Sequence, residues 1–145
     1  MIAPDFTLAS TTGVAVNLYK LLEKQPVVLF FYLRAFTPVC TSEACSFQKQ
    51  LPSFQDLNAA VLGISSDSET TARKFAEAFK LEFPLLLDPG GVVRKLYNVP
   101  KFLGLLPGRS TYVISPDKRI VYTTHSQLGS DVHVQESLRF LQNHQ

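Results

Sequence analysis

Val27-Val-Leu-Phe-Phe-Tyr32 is a run of β-branched, aliphatic and aromatic residues with no polar position to mark a wet face. A short run of this kind reads as a strand buried on both sides of a sheet. Ala60-Val-Leu-Gly-Ile64 and Thr111-Tyr-Val-Ile114 have the same character, and Ile120-Val-Tyr-Thr-Thr124 follows across Ser115-Pro-Asp-Lys118. The last two therefore read as a hairpin. Between the strands lie helical spacings. Ala44, Phe47, Leu51, Phe54 and Leu57 step by three or four, as do Ala72, Phe75, Ala76 and Phe79, and then Val134, Leu138 and Leu141. Strands alternating with helices imply right-handed crossovers and a mostly parallel sheet covered on both faces, made mixed by the closing hairpin. The fold class expected is α/β, with a thioredoxin-like architecture. In such open sheets the ligand sits where a central strand's carboxyl end meets the next helix, here the segment after Tyr32.

The 145 residues, 46% hydrophobic and 18% charged, suit one compact domain spanning 1–145. A chain of that length buries enough surface to be stable without a disulfide or metal, so its two cysteines are expected to do chemistry. The longest apolar run, Val27 to Leu33, has seven residues where a membrane helix needs about 20, and no signal peptide is evident near Met1. These features predict a soluble protein with no membrane partner. The formal net charge is +2, and basic residues are scattered instead of gathered into a stripe, which argues against nucleic acid as a partner.

Both cysteines fall in the segment after Tyr32, five residues apart, at Cys40 and Cys45. Thr37 followed by Pro38 marks a helix start: threonine as the cap, its hydroxyl expected to reach the N–H of residue 40, and proline at the first helical position. Cys40 then lies in the first turn, where backbone N–H groups and the helix dipole favour thiolate. Cys45 lies a turn and a half deeper near Ala44 and Phe47, where burial keeps a thiol neutral, as suits a resolving partner. On an ideal helix residues five apart have Cα atoms roughly 8.6 Å apart, whereas a disulfide wants less than about 7 Å. If the pair oxidises, the helix must unwind. Pro52, which cannot donate to the carbonyl of Gln48, and the middling helix formers Thr41, Ser42 and Ser46 ease that. Without further context, two small buried hydrophobes remain an equal reading of the pair.

The segment Thr37-Pro-Val-Cys40-Thr-Ser-Glu-Ala-Cys45-Ser-Phe resembles the active-site segment of the peroxiredoxins, in particular the Q-type, also called bacterioferritin comigratory protein. The likeness extends through Ala3-Pro-Asp-Phe-Thr-Leu8, Gly63-Ile-Ser-Ser-Asp67, Phe83-Pro-Leu-Leu86 and Lys101-Phe-Leu-Gly-Leu-Leu-Pro-Gly-Arg109. The resemblance implies a thiol peroxidase for hydrogen peroxide and small organic hydroperoxides. In it Cys40 is peroxidatic, Cys45 resolves it within the chain, and a thioredoxin-type partner reduces the disulfide. Thr37, Pro38 and Arg109 would bind substrate, Thr37 and Arg109 sharing in catalysis, with no metal or organic cofactor. The family's proline four residues before that threonine is replaced by Leu33, which puts pocket geometry and rate in question. Val39 and Gln48 depart from the family's usual glycine and arginine. The implied molecule is a cytoplasmic monomer, with a processed organellar protein as the alternative. A peroxide-responsive sensor with little turnover is the rival function. A disulfide oxidoreductase is a weaker rival, because such proteins usually separate their cysteines by two residues, not four.

The remaining polar residues have quieter readings. His125, His133 and His144 lack zinc-site spacing and are read as surface residues without a role. Glu43 is a helix-start acid that could pair with Arg109. Arg34 is an exposed loop residue beside Phe36. Gly90-Gly91 is a turn before a short helix, not a phosphate loop.

Overall fold

The computed structural model describes residues 2–32, 34–97, 101–102, 106–107, 110–124 and 132–143. In chain order its elements are β1 (Thr7–Leu8), β2 (Val16–Asn17), α1 (Leu18–Leu22), β3 (Val27–Phe31), α2 (Pro38–Lys49), α3 (Leu51–Asp56), β4 (Ala60–Ser65) and α4 (Glu69–Ala78). They continue with β5 (Leu85–Leu87), α5 (Val92–Leu96), β6 (Lys101–Phe102), β7 (Leu106–Pro107), β8 (Ser110–Ile114), β9 (Ile120–Thr124) and α6 (Val132–Asn143). The central sheet has the order β5-β4-β3-β8-β9; β3, β4 and β5 are parallel, and β8 and β9 run antiparallel to their neighbours. This is the mixed, two-sided sheet expected.

All five residues of β3 are buried, and their alternation builds two cores. Val28 and Phe30 pack on one face with Ala44 and Phe47 of α2, Phe54 of α3, Phe75 of α4 and Leu138 of α6. Val27, Leu29 and Phe31 pack on the other with Leu18 and Leu22 of α1 and Val93 of α5. Gly63 sits between Phe30 and Leu85 in the ladder, and a Cβ there would lie 2.8 Å from Leu85 Cδ2 and 2.9 Å from Phe30 Cζ. Only glycine fits without displacing a core side chain.

The helical spacing over 44–57 resolves into two helices that meet at Gln50 (φ −94°, ψ 5°). Pro52 cannot continue the ladder, but in the first turn of α3 its missing N–H costs nothing. Gly90 and Gly91 adopt φ of 73° and 68°, as a turn before α5 requires. Strand β5 was not anticipated, because three residues are too few for a period to show.

Candidate active site

Cys40 is the third residue of α2, two positions after Pro38, and is 2% exposed. The helix's own ladder opens with the Thr41 N–H donating to the Thr37 carbonyl at 2.9 Å, so the Val39 and Cys40 amides precede it and Pro38 has none. The helix start is as expected, but the cap is not. Thr37 makes no side-chain cap; its hydroxyl donates to the Arg34 carbonyl at 2.8 Å. The cause lies in the loop: Phe36 takes a left-handed φ of 66°, which folds the Arg34 carbonyl back over the hydroxyl. That conformation costs a bulky L residue roughly 1–2 kcal/mol, offset by contacts of the Phe36 ring with Phe75, edge-on at 5.2 Å, and with Phe79, tilted at 6.2 Å. With its one hydrogen committed, the Thr37 hydroxyl is left with acceptor capacity only.

Two contacts moor this loop to the rest of the fold. The Ala35 N–H donates to Asp67 Oδ2 at 2.9 Å, and the same oxygen accepts from the Ser65 hydroxyl at 3.0 Å. Arg94, 8% exposed on α5, donates from Nη2 to the Tyr32 carbonyl at 2.8 Å and stacks over the Phe31 ring. Asp88 accepts from the Val93 and Arg94 amides, both at 3.0 Å, and so fixes the start of α5. Burial pulls the Arg94 pKa down, and its nearness to Asp88 opposes that pull. Neither Asp67 nor Arg94 had been marked as working at the site by sequence reasoning. Asp67 stood only inside a family-like block, and Arg94 had no local signal.

Cys45 is half-buried on the same helix, and burial raises its thiol pKa. No disulfide joins the two cysteines, and both lie within an unbroken twelve-residue helix. Two expectations are overturned beside them. His133 is not at the surface: it is fully buried, with Nδ1 2.5 Å from Thr111 Oγ1 and 3.3 Å from Glu43 Oε2. The buried stripe of α6 comprises His133, Val134, Ser137, Leu138 and Leu141, wider than the three apolar residues alone suggest. Glu43 is likewise fully buried rather than a solvated helix-start acid. Its expected pairing with Arg109 lies outside the described residues, as do Arg109 itself, Leu33, His125 and His144. Gln48 clamps the far end of α2, donating to Glu82 Oε1 at 2.8 Å and accepting from the Glu82 N–H at 2.7 Å. Pro38 is exposed and Thr37 half-buried at the start of the helix that carries Cys40.

The arrangement therefore offers a buried sulfur at a helix start, an acceptor hydroxyl at the residue that precedes the helix and a moored loop that leads into both. The AhpC/TSA family model matches residues 1–123. The chain is 41% identical over 142 residues to peroxiredoxin Q, chloroplastic, of Oryza sativa subsp. japonica, a match covering 97% of this chain and 65% of that protein. It thus spans about two thirds of the rice protein's length. The crystal structure of peroxidoxin BcpB from Mycobacterium tuberculosis is similar with a TM-score of 0.92 and 36% identity, covering 100% of this chain and 96% of that one. A structure of the Xanthomonas campestris bacterioferritin comigratory protein, from work on its alkyl peroxide reduction activity, has a TM-score of 0.87 and 26% identity, covering 96% and 91%. Among the described residues no helix is long and apolar enough to cross a membrane.

Proposed function

We infer the function from one premise: the chain belongs to the AhpC/TSA family, among the peroxiredoxins. The reading is a thiol peroxidase, and the observation that carries it is Cys40, buried in the first turn of α2 with Cys45 five residues along the same helix. The Cys40 thiolate attacks the terminal, hydrogen-bearing oxygen of a hydroperoxide. The S–O bond forms as the O–O bond breaks, and the alkoxide or hydroxide leaves with a proton taken from solvent. The product is a sulfenic acid. The Cys45 sulfur then displaces water from it and forms the Cys40–Cys45 disulfide. A dithiol partner of the thioredoxin type reduces that bond and becomes oxidised itself. No metal or organic cofactor enters this cycle.

Thr37 accepts the substrate's O–H and so turns its terminal oxygen toward the sulfur, while the Cys40 amide and Arg109 stabilise the developing charge. Each such donor is worth on the order of 10² to 10³ in rate, more than thiolate formation alone supplies. Arg94 and Asp67 act behind them by fixing the loop that carries Thr37. The chain works as a monomer, which sedimentation at micromolar concentration checks. The location is cytoplasmic, with the chloroplastic rice relative fitting the organellar alternative.

The deciding experiment mixes the reduced protein rapidly with hydrogen peroxide, quenches with an alkylating reagent and follows both thiols by mass spectrometry, since the chain has no tryptophan to report. Rapid loss of the Cys40 thiol, absent in Cys40→Ser, followed by repeated turnover with thioredoxin, supports the peroxidase. One oxidation without turnover would instead favour the sensor, and a slow, non-selective reaction would defeat both.

A further inference from the structure

We propose that His133 is a positioning residue for the resolving step: through Glu43 it holds α2 wound, and so sets how fast Cys45 reaches the Cys40 sulfenic acid. The proposal rests on the peroxidase reading for its consequence but on geometry for its cause. Glu43 lies between the two cysteines, three residues after Cys40 and two before Cys45. A twelve-residue helix holding both thiols cannot bring their Cα atoms within disulfide reach, so the turn that carries Glu43 must open.

Opening that turn withdraws Glu43 from a contact made with parts of the molecule that stay in place. His133 belongs to α6 and Thr111 to β8, and both side chains are fully buried. Nδ1 of His133 faces two oxygens, Thr111 Oγ1 at 2.5 Å and Glu43 Oε2 at 3.3 Å. A hydrogen on Nδ1 makes both contacts favourable, whereas a lone pair there would oppose the carboxylate. Because the pair lies in the interior, away from competing water, the contact is strong, and removing the His133 ring from beside Glu43 is costly. The wound state of α2 bears that cost, so loosening the latch shifts the equilibrium toward the open helix. The Gln48–Glu82 clamp at the other end is at the surface, where such contacts are weaker.

The chemical consequence is a partition. Once formed, the sulfenic acid either condenses with Cys45, releasing water, or is attacked by a second hydroperoxide, which transfers one oxygen to give sulfinic acid and leaves as the alcohol or water. A tight latch slows the first branch and leaves the second unchanged.

The test compares wild type, His133→Gln and His133→Asn as full chains. The asparagine amide nitrogen falls where Nδ1 sits, while glutamine places its nitrogen a methylene farther out. Hydrogen exchange of the reduced proteins should show amides 41–48 exchanging at least about tenfold faster in His133→Gln and within about threefold of wild type in His133→Asn, with β3 and β4 amides unchanged. After one equivalent of hydrogen peroxide, disulfide formation should accelerate by the same factor in His133→Gln, the loss of the Cys40 thiol should keep its rate, and less sulfinic acid should accumulate. Wild-type exchange of α2 in His133→Gln, or acceleration spread over the whole sheet, overturns the proposal. If His133→Gln does not fold, Glu43→Gln reads the same α2 amides with the same two outcomes. Should wild type form no disulfide at all, the peroxidase reading fails, while the exchange comparison still decides the latch.

Discussion

Where β3 hands the chain to α2, Cys40 lies in the first helical turn after Thr37, Asp67 and Arg94 bond the segment that leads into it, and the buried Glu43–His133 pair lies one turn farther along α2. At the opposite end of the same strands lies a cavity of about 460 Å³ whose lining includes Pro26, Leu57, Val113, Val121 and Phe140, with no acid, base or thiol among the described residues there. By size alone the second end would be taken for the site. The difference is between room and reactivity: O–O cleavage by sulfur needs donors and charges held at fixed points around a small substrate, and an apolar cleft supplies neither.

Substitutions at the two ends can break that contrast. Cys40→Ser should abolish peroxide consumption, a fall of at least about 10³ in rate, and residual turnover would move the chemistry elsewhere. Arg109→Lys should keep the positive charge and lose about 10² in the rate of Cys40 oxidation, because a point charge cannot reproduce a planar donor fork; an unchanged rate would remove Arg109 from the pocket. The resolving step should respond to pH. Burial raises the Cys45 pKa and the thiolate is the nucleophile, so disulfide formation should climb about tenfold per unit between pH 6 and 8; a flat profile would mean that another event limits it. Asp67→Ala frees the Ala35 amide and loosens the loop under Thr37, for an expected fall of about fivefold to tenfold in the peroxide step with the Cys40 thiol still present. At the far end, Val121→Thr, on a residue 40% exposed, should leave the rate within about twofold of wild type. A larger effect would couple the apolar cavity to the chemistry.

Much of this was legible in the chain. Strand and helix periods placed β3, β4, β8 and β9, located α2, α4 and α6, and put Cys40 in a first helical turn after Thr37-Pro38. The places where local reading failed share a cause. Thr37 looked like a cap because threonine before proline usually is one, but a left-handed Phe36 redirects its hydroxyl. His133 and Glu43 looked solvated because they are polar residues on helices, yet each faces the other across the core.

Local pattern thus determined four strands of the sheet, the helices α2, α4 and α6 and the place of both cysteines, because hydrophobic period and helix-start chemistry act over a few residues. Tertiary structure alone decided what each polar group touches. Asp67 meets Ala35 across 32 residues, Arg94 meets Tyr32 across 62, and His133 meets Thr111 across 22. A period records that a face is covered and not what covers it, so partnerships between elements arise only when the packed sheet and helices bring distant donors and acceptors within about 3 Å.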